Sequence, residues 1–138
     1  MIHQLFSTDH QRLDLLFALY KQHQDSRREL ALRLFDKFSF GLEKHIEQEE
    51  NLLFPEYEKA TGYTDKGPTM VMRQEHKMIK QLLQRVRNGL QHNEDVSLLD
   101  AELASLLHEH NQKEERMLYV QCQSVIDQGA MAELLLKL

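Results

Sequence analysis

Two segments of the sequence place a glutamate four residues after a histidine: His45 with Glu49, and His110 with Glu114. This spacing puts both side chains on one face of an α-helix, one turn apart. Imidazole nitrogens and carboxylate oxygens, with no thiolate among them, are the donors that hold iron or manganese. With one further histidine ahead of each pair, they form a candidate metal site. The predicted metal ligands are His10, His45, Glu49, His76, His110 and Glu114.

The six residues interrupt stripes of apolar residues at helical spacing. On the helix that carries His45, for example, Phe38 and Leu42 precede it on the same face, which predicts burial of His45 and Glu49. A buried glutamate without a partner costs several kcal/mol, so both glutamates need partners. The partners are either metal ions or, in the alternative interpretation, the neighbouring imidazoles of a metal-free polar core.

The donor count fits a pair of metal ions. Two carboxylates can bridge two cations, and each cation then receives two histidine nitrogens. With about six positions per metal in octahedral geometry, about two positions per metal remain. These positions can take a bridging oxide or hydroxide and one small molecule. Phe, Leu and Met side chains around the layer would exclude water and favour reversible binding of that molecule.

The elements that position these residues are helices, because apolar residues recur at helical spacing and β-branched runs are almost absent. Residues 61–67 form the one substantial loop. Pro55 predicts a kink or break in the second helix, because its ring removes a backbone hydrogen bond. A short fifth helix could form over residues 129–138 and either cap the bundle or make a dimer contact. The four main helices are predicted over about 2–23, 26–60, 68–91 and 96–127.

The second half of the chain repeats the first. The segment that starts at His45 matches the segment that starts at His110 in spacing and chemistry, and the surroundings of His10 match those of His76. The chain thus reads as a duplicated helical hairpin. Short loops between antiparallel neighbours bring the six side chains to one level, at about 1.5 Å of rise per residue. The sequence predicts an all-α, antiparallel up-down-up-down four-helix bundle.

Length and composition indicate one domain over residues 1–138, with the bundle over about 2–127. Hydrophobic residues make up 41% of the sequence, which is sufficient for a core. The net charge of -5 is spread along the chain, so we expect no nucleic-acid partner. No apolar stretch is long enough to span a membrane. A single cysteine, Cys122, and the lack of a signal segment predict a cytoplasmic protein.

Other polar residues near the stripes have simpler interpretations. His23, His92 and His108 are expected on the surface, the first two near helix ends. His3 lies two turns before His10 and could line the end of the site. Glu50 and Glu115 each follow a predicted ligand, and we expect solvated or ion-paired carboxylates there, with orientation of a ligand as the alternative.

Taken together, the motifs resemble the hemerythrin-like HHE cation-binding domain over about residues 3–120. The motifs are His10, then His45-x-x-x-Glu49-Glu50 followed by Leu53-Phe54-Pro55, then Glu75-His76, then His110-x-x-x-Glu114-Glu115. The resemblance implies a left-handed bundle around a non-haem centre of two iron ions. It also implies that the four histidines are terminal ligands and that the two glutamates bridge the irons.

The sequence departs from the oxygen-carrying hemerythrins, because Lys80 stands where they have a further histidine and helix four offers His110 with Glu114. Its ligand set is closer to iron-centre-repair proteins and to the hemerythrin-like domain of a ubiquitin ligase. We expect a protein that binds O2, NO or a similar small molecule for sensing, scavenging or buffering. Iron storage, donation or repair, and redox catalysis on peroxide or nitric oxide, are the alternatives. A homodimer is compatible with the sequence.

Overall fold

The computed structural model describes residues 1–138 and contains five helices and no strand, which confirms the all-α prediction and the fifth helix. The second and fourth helices each pass through one π-helical turn, in which backbone hydrogen bonds span five residues instead of four. The helices are α1 (Ile2–His23), α2 (Arg28–Gln48, Glu49–Leu53 and Phe54–Thr61), α3 (Pro68–Gln91), α4 (Ser97–Lys113, Glu114–Leu118 and Tyr119–Val125) and α5 (Gln128–Lys137).

The helix ends follow local backbone chemistry and differ slightly from the predicted bounds. Helix α2 begins at Arg28 rather than at residue 26, and it ends before Gly62, whose φ of 80° only glycine adopts readily. Helix α4 ends at Val125 rather than at residue 127, because Ile126 has extended backbone angles. Asp127 then caps α5, since its side chain accepts a hydrogen bond from the Ala130 N–H.

The helices pack as two antiparallel hairpins, α1 with α2 and α3 with α4, in the arrangement expected of a hemerythrin-like bundle. Two apolar clusters lie along the bundle. The larger one surrounds Phe38 and Leu83, and the smaller one surrounds Leu53 and Leu118. Leu134 of α5 is buried in the smaller cluster, so the fifth helix covers that end of the bundle. The predicted metal ligands belong to neither cluster and are the main buried polar residues.

The two π turns shift the buried face of their helices by one residue. In a continuous α-helix, Leu52 and Met117 would lie on the buried stripes below the glutamates. The structure instead buries Leu53 and Leu118, and Met117 is 55% exposed. Met117 turns outward because it lies within the π turn over Glu114–Leu118, where α-helical spacing does not apply. Of the kink or break predicted at Pro55, no break is present, since the π turn ends at Leu53 and the α-helix continues through Pro55.

No helix of the structure combines the length and the apolar character that a membrane span requires.

Candidate metal centre

All six predicted ligands are buried and meet at one level of the bundle. They form two groups of four, and within each group one ligand atom per residue lies within 4.8 Å of the others. The first group is His10, His45, Glu49 and Glu114, and the second is His76, His110, Glu49 and Glu114. Both glutamates belong to both groups. The two overlapping buried clusters are consistent with a dinuclear metal site.

Glu49 directs one carboxylate oxygen to each group. Its Oε2 lies 3.5 Å from His45 Nε2, and its Oε1 lies 3.2 Å from His76 Nε2. Glu49 is the first residue of a π turn on α2, and its carboxylate reaches His76 on α3 and Tyr119 on α4. This is the arrangement that a carboxylate bridging two cations requires.

Glu114 repeats this arrangement from the opposite helix. Its Oε1 lies 3.2 Å from His10 Nε2, and its Oε2 lies 3.2 Å from His110 Nε2. Like Glu49, it opens a π turn, here on α4. The two halves of the sequence therefore contribute equivalent glutamates, as the sequence repeat predicted.

Every imidazole of the site has its Nδ1 atom paired with a carboxylate at 2.8 or 2.9 Å. The Nε2 atoms are left to point at the glutamates in the centre. Such outer carboxylates fix the ring orientation and the tautomer of a metal-binding histidine. The four pairs are His10 with Glu115, His45 with Asp9, His76 with Glu50, and His110 with Glu75.

The favoured sequence interpretation of Glu50 and Glu115, as ordinary surface carboxylates, is therefore incomplete, because both contact a buried imidazole of the other hairpin. The sequence predicted no role for Asp9, and Glu75 stood out only as the residue before His76 in the family motif. Each of these acids precedes a predicted ligand histidine and pairs with the histidine of the next helix. Because this position repeats in both halves, the repeat itself was the signal that could have identified them.

The electrostatics of the cluster favour charged side chains. Burial acts to lower the pKa of His45, but the charge of Glu49 and the hydrogen bond to Asp9 outweigh it and raise this pKa to about 10. For His76, the same competition between burial and the surrounding glutamates raises the pKa to about 11. Burial acts to raise the pKa of Glu114, but His110 and the other imidazoles hold it well below its usual value. The centre thus holds carboxylates whose charge requires nearby positive charge.

Two oxygen atoms of the centre are consistent with a bound cation. Glu49 Oε1 and Glu114 Oε2 are buried and lack a hydrogen bond of good geometry, although each lies 3.2 Å from an imidazole nitrogen. An unsatisfied buried carboxylate oxygen costs free energy, and a metal ion removes that cost by coordination. Both atoms face the second group, beside His76 and His110. The donors are nitrogen and oxygen only, which suits iron or manganese.

The comparison with protein families matches this geometry to a known domain. The family model described as "Hemerythrin HHE cation binding domain" matches residues 1–122. The chain belongs to this hemerythrin family. The match covers α1 to α4 up to Cys122 and includes all six clustered residues, while α5 lies outside it. Searches of curated proteins and of solved structures gave no significant match.

One residue of the hemerythrin site was missed in the sequence. Tyr119 on α4 is fully buried, and its hydroxyl donates a hydrogen bond to Glu49 Oε2 at 2.5 Å. Burial, together with the charges of Glu114 and Glu49, holds the pKa of this phenol well above its usual value. Tyr119 lies five residues after Glu114, which is off the buried face of a regular α-helix but one turn below the glutamate in a π turn.

The remaining histidines of the hemerythrin domain lie outside the cluster. His23 and His92 bond to backbone carbonyls of their own helices, and His108 is exposed beside Gln112. His3 Nε2 lies 2.7 Å from the carbonyl oxygen of Glu115. His3 therefore supports the helix that carries the site, and its ring packs edge-on against Tyr119 at the end of the cluster.

Proposed function

We propose that this hemerythrin domain holds two iron ions and reversibly binds a small molecule such as O2 or NO, for sensing, scavenging or buffering. The assignment of His10, His45, Glu49, His76, His110 and Glu114 as metal ligands is part of the proposal. The observation that carries it is the pair of buried glutamates, each of which offers one oxygen to each group. Iron supplies the position at which such a molecule binds.

The protein's own residues prepare the site in two ways. The Nδ1 contacts to four carboxylates hold each imidazole with Nε2 directed inward. The two apolar clusters seal the layer from above and below, because Phe38, Leu42, Leu53 and Leu118 are at most 4% exposed. A water-poor surrounding of this kind favours reversible binding of a small neutral molecule over hydrolytic chemistry. The cytoplasmic location stays part of the proposal, and a buried thiol at Cys122 is compatible with it.

The test is a spectroscopic titration of the iron-loaded protein. The metal-free chain is loaded anaerobically with ferrous iron, freed of excess metal, and exposed to O2 or to NO. We expect visible bands that appear with either gas and disappear when the gas is removed. The His76→Ala variant should lose this response, whereas the surface variant His108→Ala should retain it.

Other outcomes would point to the alternative functions. If iron passes rapidly to a chelator and the spectrum ignores both gases, storage or donation of iron replaces small-molecule binding. If peroxide or NO is consumed over many turnovers with a reductant present, the domain is a redox enzyme.

A further inference from the structure

The two halves of the site have equivalent ligands but differ in one aromatic side chain. Phe54 lies five residues after Glu49, and Tyr119 lies five residues after Glu114. Each is the first residue after a π turn, and both are fully buried. The Phe54 ring stacks on His76 with centroids 5.7 Å apart, and the Tyr119 ring lies 5.7 Å from that of His10. The same place in the fold thus carries a hydroxyl in one half only.

The hydroxyl of Tyr119 lies at the centre of the first group. It is 3.1 Å from His10 Nε2 and 3.3 Å from His45 Nε2. It is also 2.5 Å from Glu49 Oε2 and 3.1 Å from Glu114 Oε1. All four residues of the first group therefore contact this one oxygen. In the second group, the two Nε2 atoms of His76 and His110 face each other directly at 3.1 Å.

The surroundings of Tyr119 leave the hydroxyl little freedom to move away. The ring is fully buried and packs against Phe6, with centroids 5.5 Å apart, and edge-on against His3. A cation held by His10 and His45 must therefore lie within reach of the phenol oxygen. Oxygen donors suit the hard metals that the other ligands select, and a tyrosine oxygen is an established iron ligand in proteins.

We propose that Tyr119 supplies a further oxygen ligand to the metal ion held by His10 and His45, so that the two metal positions differ. This inference rests on the proposed metal centre. On coordination, the phenol O–H bond breaks as the oxygen–metal bond forms, and the proton leaves to solvent. No electron is transferred. The first position then has five protein donors and the second has four, so the small molecule binds at the ion held by His76 and His110.

Resonance Raman spectroscopy of the oxidised, iron-loaded protein tests this assignment. We expect tyrosinate vibrations that are enhanced within a visible iron(III) charge-transfer band and that shift when the tyrosines are ring-deuterated. Tyr119→Phe should abolish the band and the vibrations, while about two irons per chain are retained at saturating iron. The matched control is Tyr57→Phe, because Tyr57 is also buried but donates its hydrogen bond to Gln121. This control should keep both signals.

The reciprocal variant tests the asymmetry. Phe54→Tyr places a hydroxyl beside His76, and it should reduce NO binding to the loaded protein severalfold while the tyrosinate signals persist. An iron-loaded wild-type protein without tyrosinate vibrations would overturn the inference and leave the metal centre intact. Failure to bind iron at all would overturn the metal centre as well. If Tyr119→Phe does not fold, the isotope shift in the wild-type protein still decides the question.

Discussion

Each imidazole of the site uses both of its ring nitrogens. The Nδ1 atoms contact four outer carboxylates, and the Nε2 atoms face the two inner carboxylates of Glu49 and Glu114. The centre and its immediate surroundings therefore hold six carboxylates. This excess of negative charge favours multivalent cations in the centre. The outer carboxylates are partly exposed, with Glu50 at 21% and Glu75 at 15%, so they also connect the centre electrostatically to the surface.

Glu50→Gln should weaken metal binding without preventing it. Glu50 Oε2 lies 2.8 Å from His76 Nδ1, and this hydrogen bond holds the pKa of Glu50 below its usual value. Loss of such an outer carboxylate typically lowers metal affinity about 10- to 100-fold. A competitive titration against a chelator measures the change. The neighbouring exposed Glu47→Gln is the control, and equal affinities of the two variants would contradict the role of Glu50.

Metal binding should release protons. The pKa values of about 10 for His45 and about 11 for His76 mean that both imidazoles are protonated at neutral pH in the metal-free chain. A metal ligand must be neutral at Nε2, so each of these histidines gives up a proton on loading. Affinity should therefore rise with pH up to about pH 11, the higher of the two pKa values. Calorimetry in buffers of different ionisation enthalpy counts the protons, and a heat independent of buffer would contradict this account.

The six clustered residues could be predicted from the sequence because they interrupt apolar stripes at matched positions in two halves. The outer acids could not, since Asp9 and Glu75 occupy polar positions where any solvated acid would also stand. Tyr119 was missed for a different reason. Its place in the centre depends on a turn of five residues, which a search for α-helical spacing does not consider.

At the scale of the elements, the π turns create the site. Each begins at a shared glutamate, and each moves the next aromatic residue to the level of the cluster. When pairing returns from five residues to four, one backbone carbonyl is left without a helical donor. In the two π turns, these are the carbonyls of Glu50 and Glu115, and each contacts a nitrogen atom of a side chain from another helix. Arg73 Nη2 donates to Glu50 at 3.2 Å, and His3 Nε2 contacts Glu115 at 2.7 Å.

Arg73→Met should destabilise the protein through this carbonyl. The variant leaves the Glu50 oxygen without its donor and removes the ion pair with Glu58. Because this contact is only partly buried, we expect a loss of about 1 kcal/mol in the free energy of unfolding, the lower end for an unsatisfied acceptor. Urea unfolding of wild type and variant in the same metal state measures the difference. Arg85→Met on the exposed face of α3 is the control, and an equal change in the two variants would show that the π turn needs no support from Arg73.

The number and order of the helices followed from long periodic segments and short connections, which are strong sequence signals. Of the kink or break predicted at Pro55, the break does not occur, because the rule for proline assumes an uninterrupted α-helix. Here the π turn ends at Leu53 and places Pro55 in the first turn of the next α-helical segment, where its missing N–H is tolerated.

In the whole molecule, a second group of buried polar residues lies at a different level of the bundle from the candidate metal centre, and we expect it to contribute to stability but not to metal binding. In this second group, the hydroxyl of the fully buried Tyr20 donates to the Asp100 carboxylate and lies 3.1 and 3.0 Å from its two oxygens. The Gln24 side chain donates to the same carboxylate at 2.7 Å. These bonds join α1 to the beginning of α4, within the reach of the larger apolar cluster.

Asp100→Ala should therefore lower stability and leave the metal content unchanged. The substitution leaves the Tyr20 hydroxyl without its acceptor, at a cost of about 1–3 kcal/mol in the free energy of unfolding. Denaturant unfolding and elemental analysis of the same preparation give both quantities. Glu102→Ala, at an exposed position of the same helix, is the control. Loss of metal at unchanged stability would contradict the separation of the two levels.

In the proposed centre, two metal ions share Glu49 and Glu114 between the two groups of histidines. Elemental analysis of the chain after anaerobic loading with ferrous iron tests it most directly. We predict about two irons per chain for the wild type and for the surface variant Glu47→Ala, and fewer than one for Glu49→Ala, because both groups lose the same bridging carboxylate. A wild-type chain that retains no iron, or a Glu49→Ala chain that retains as much as the wild type, would contradict the account.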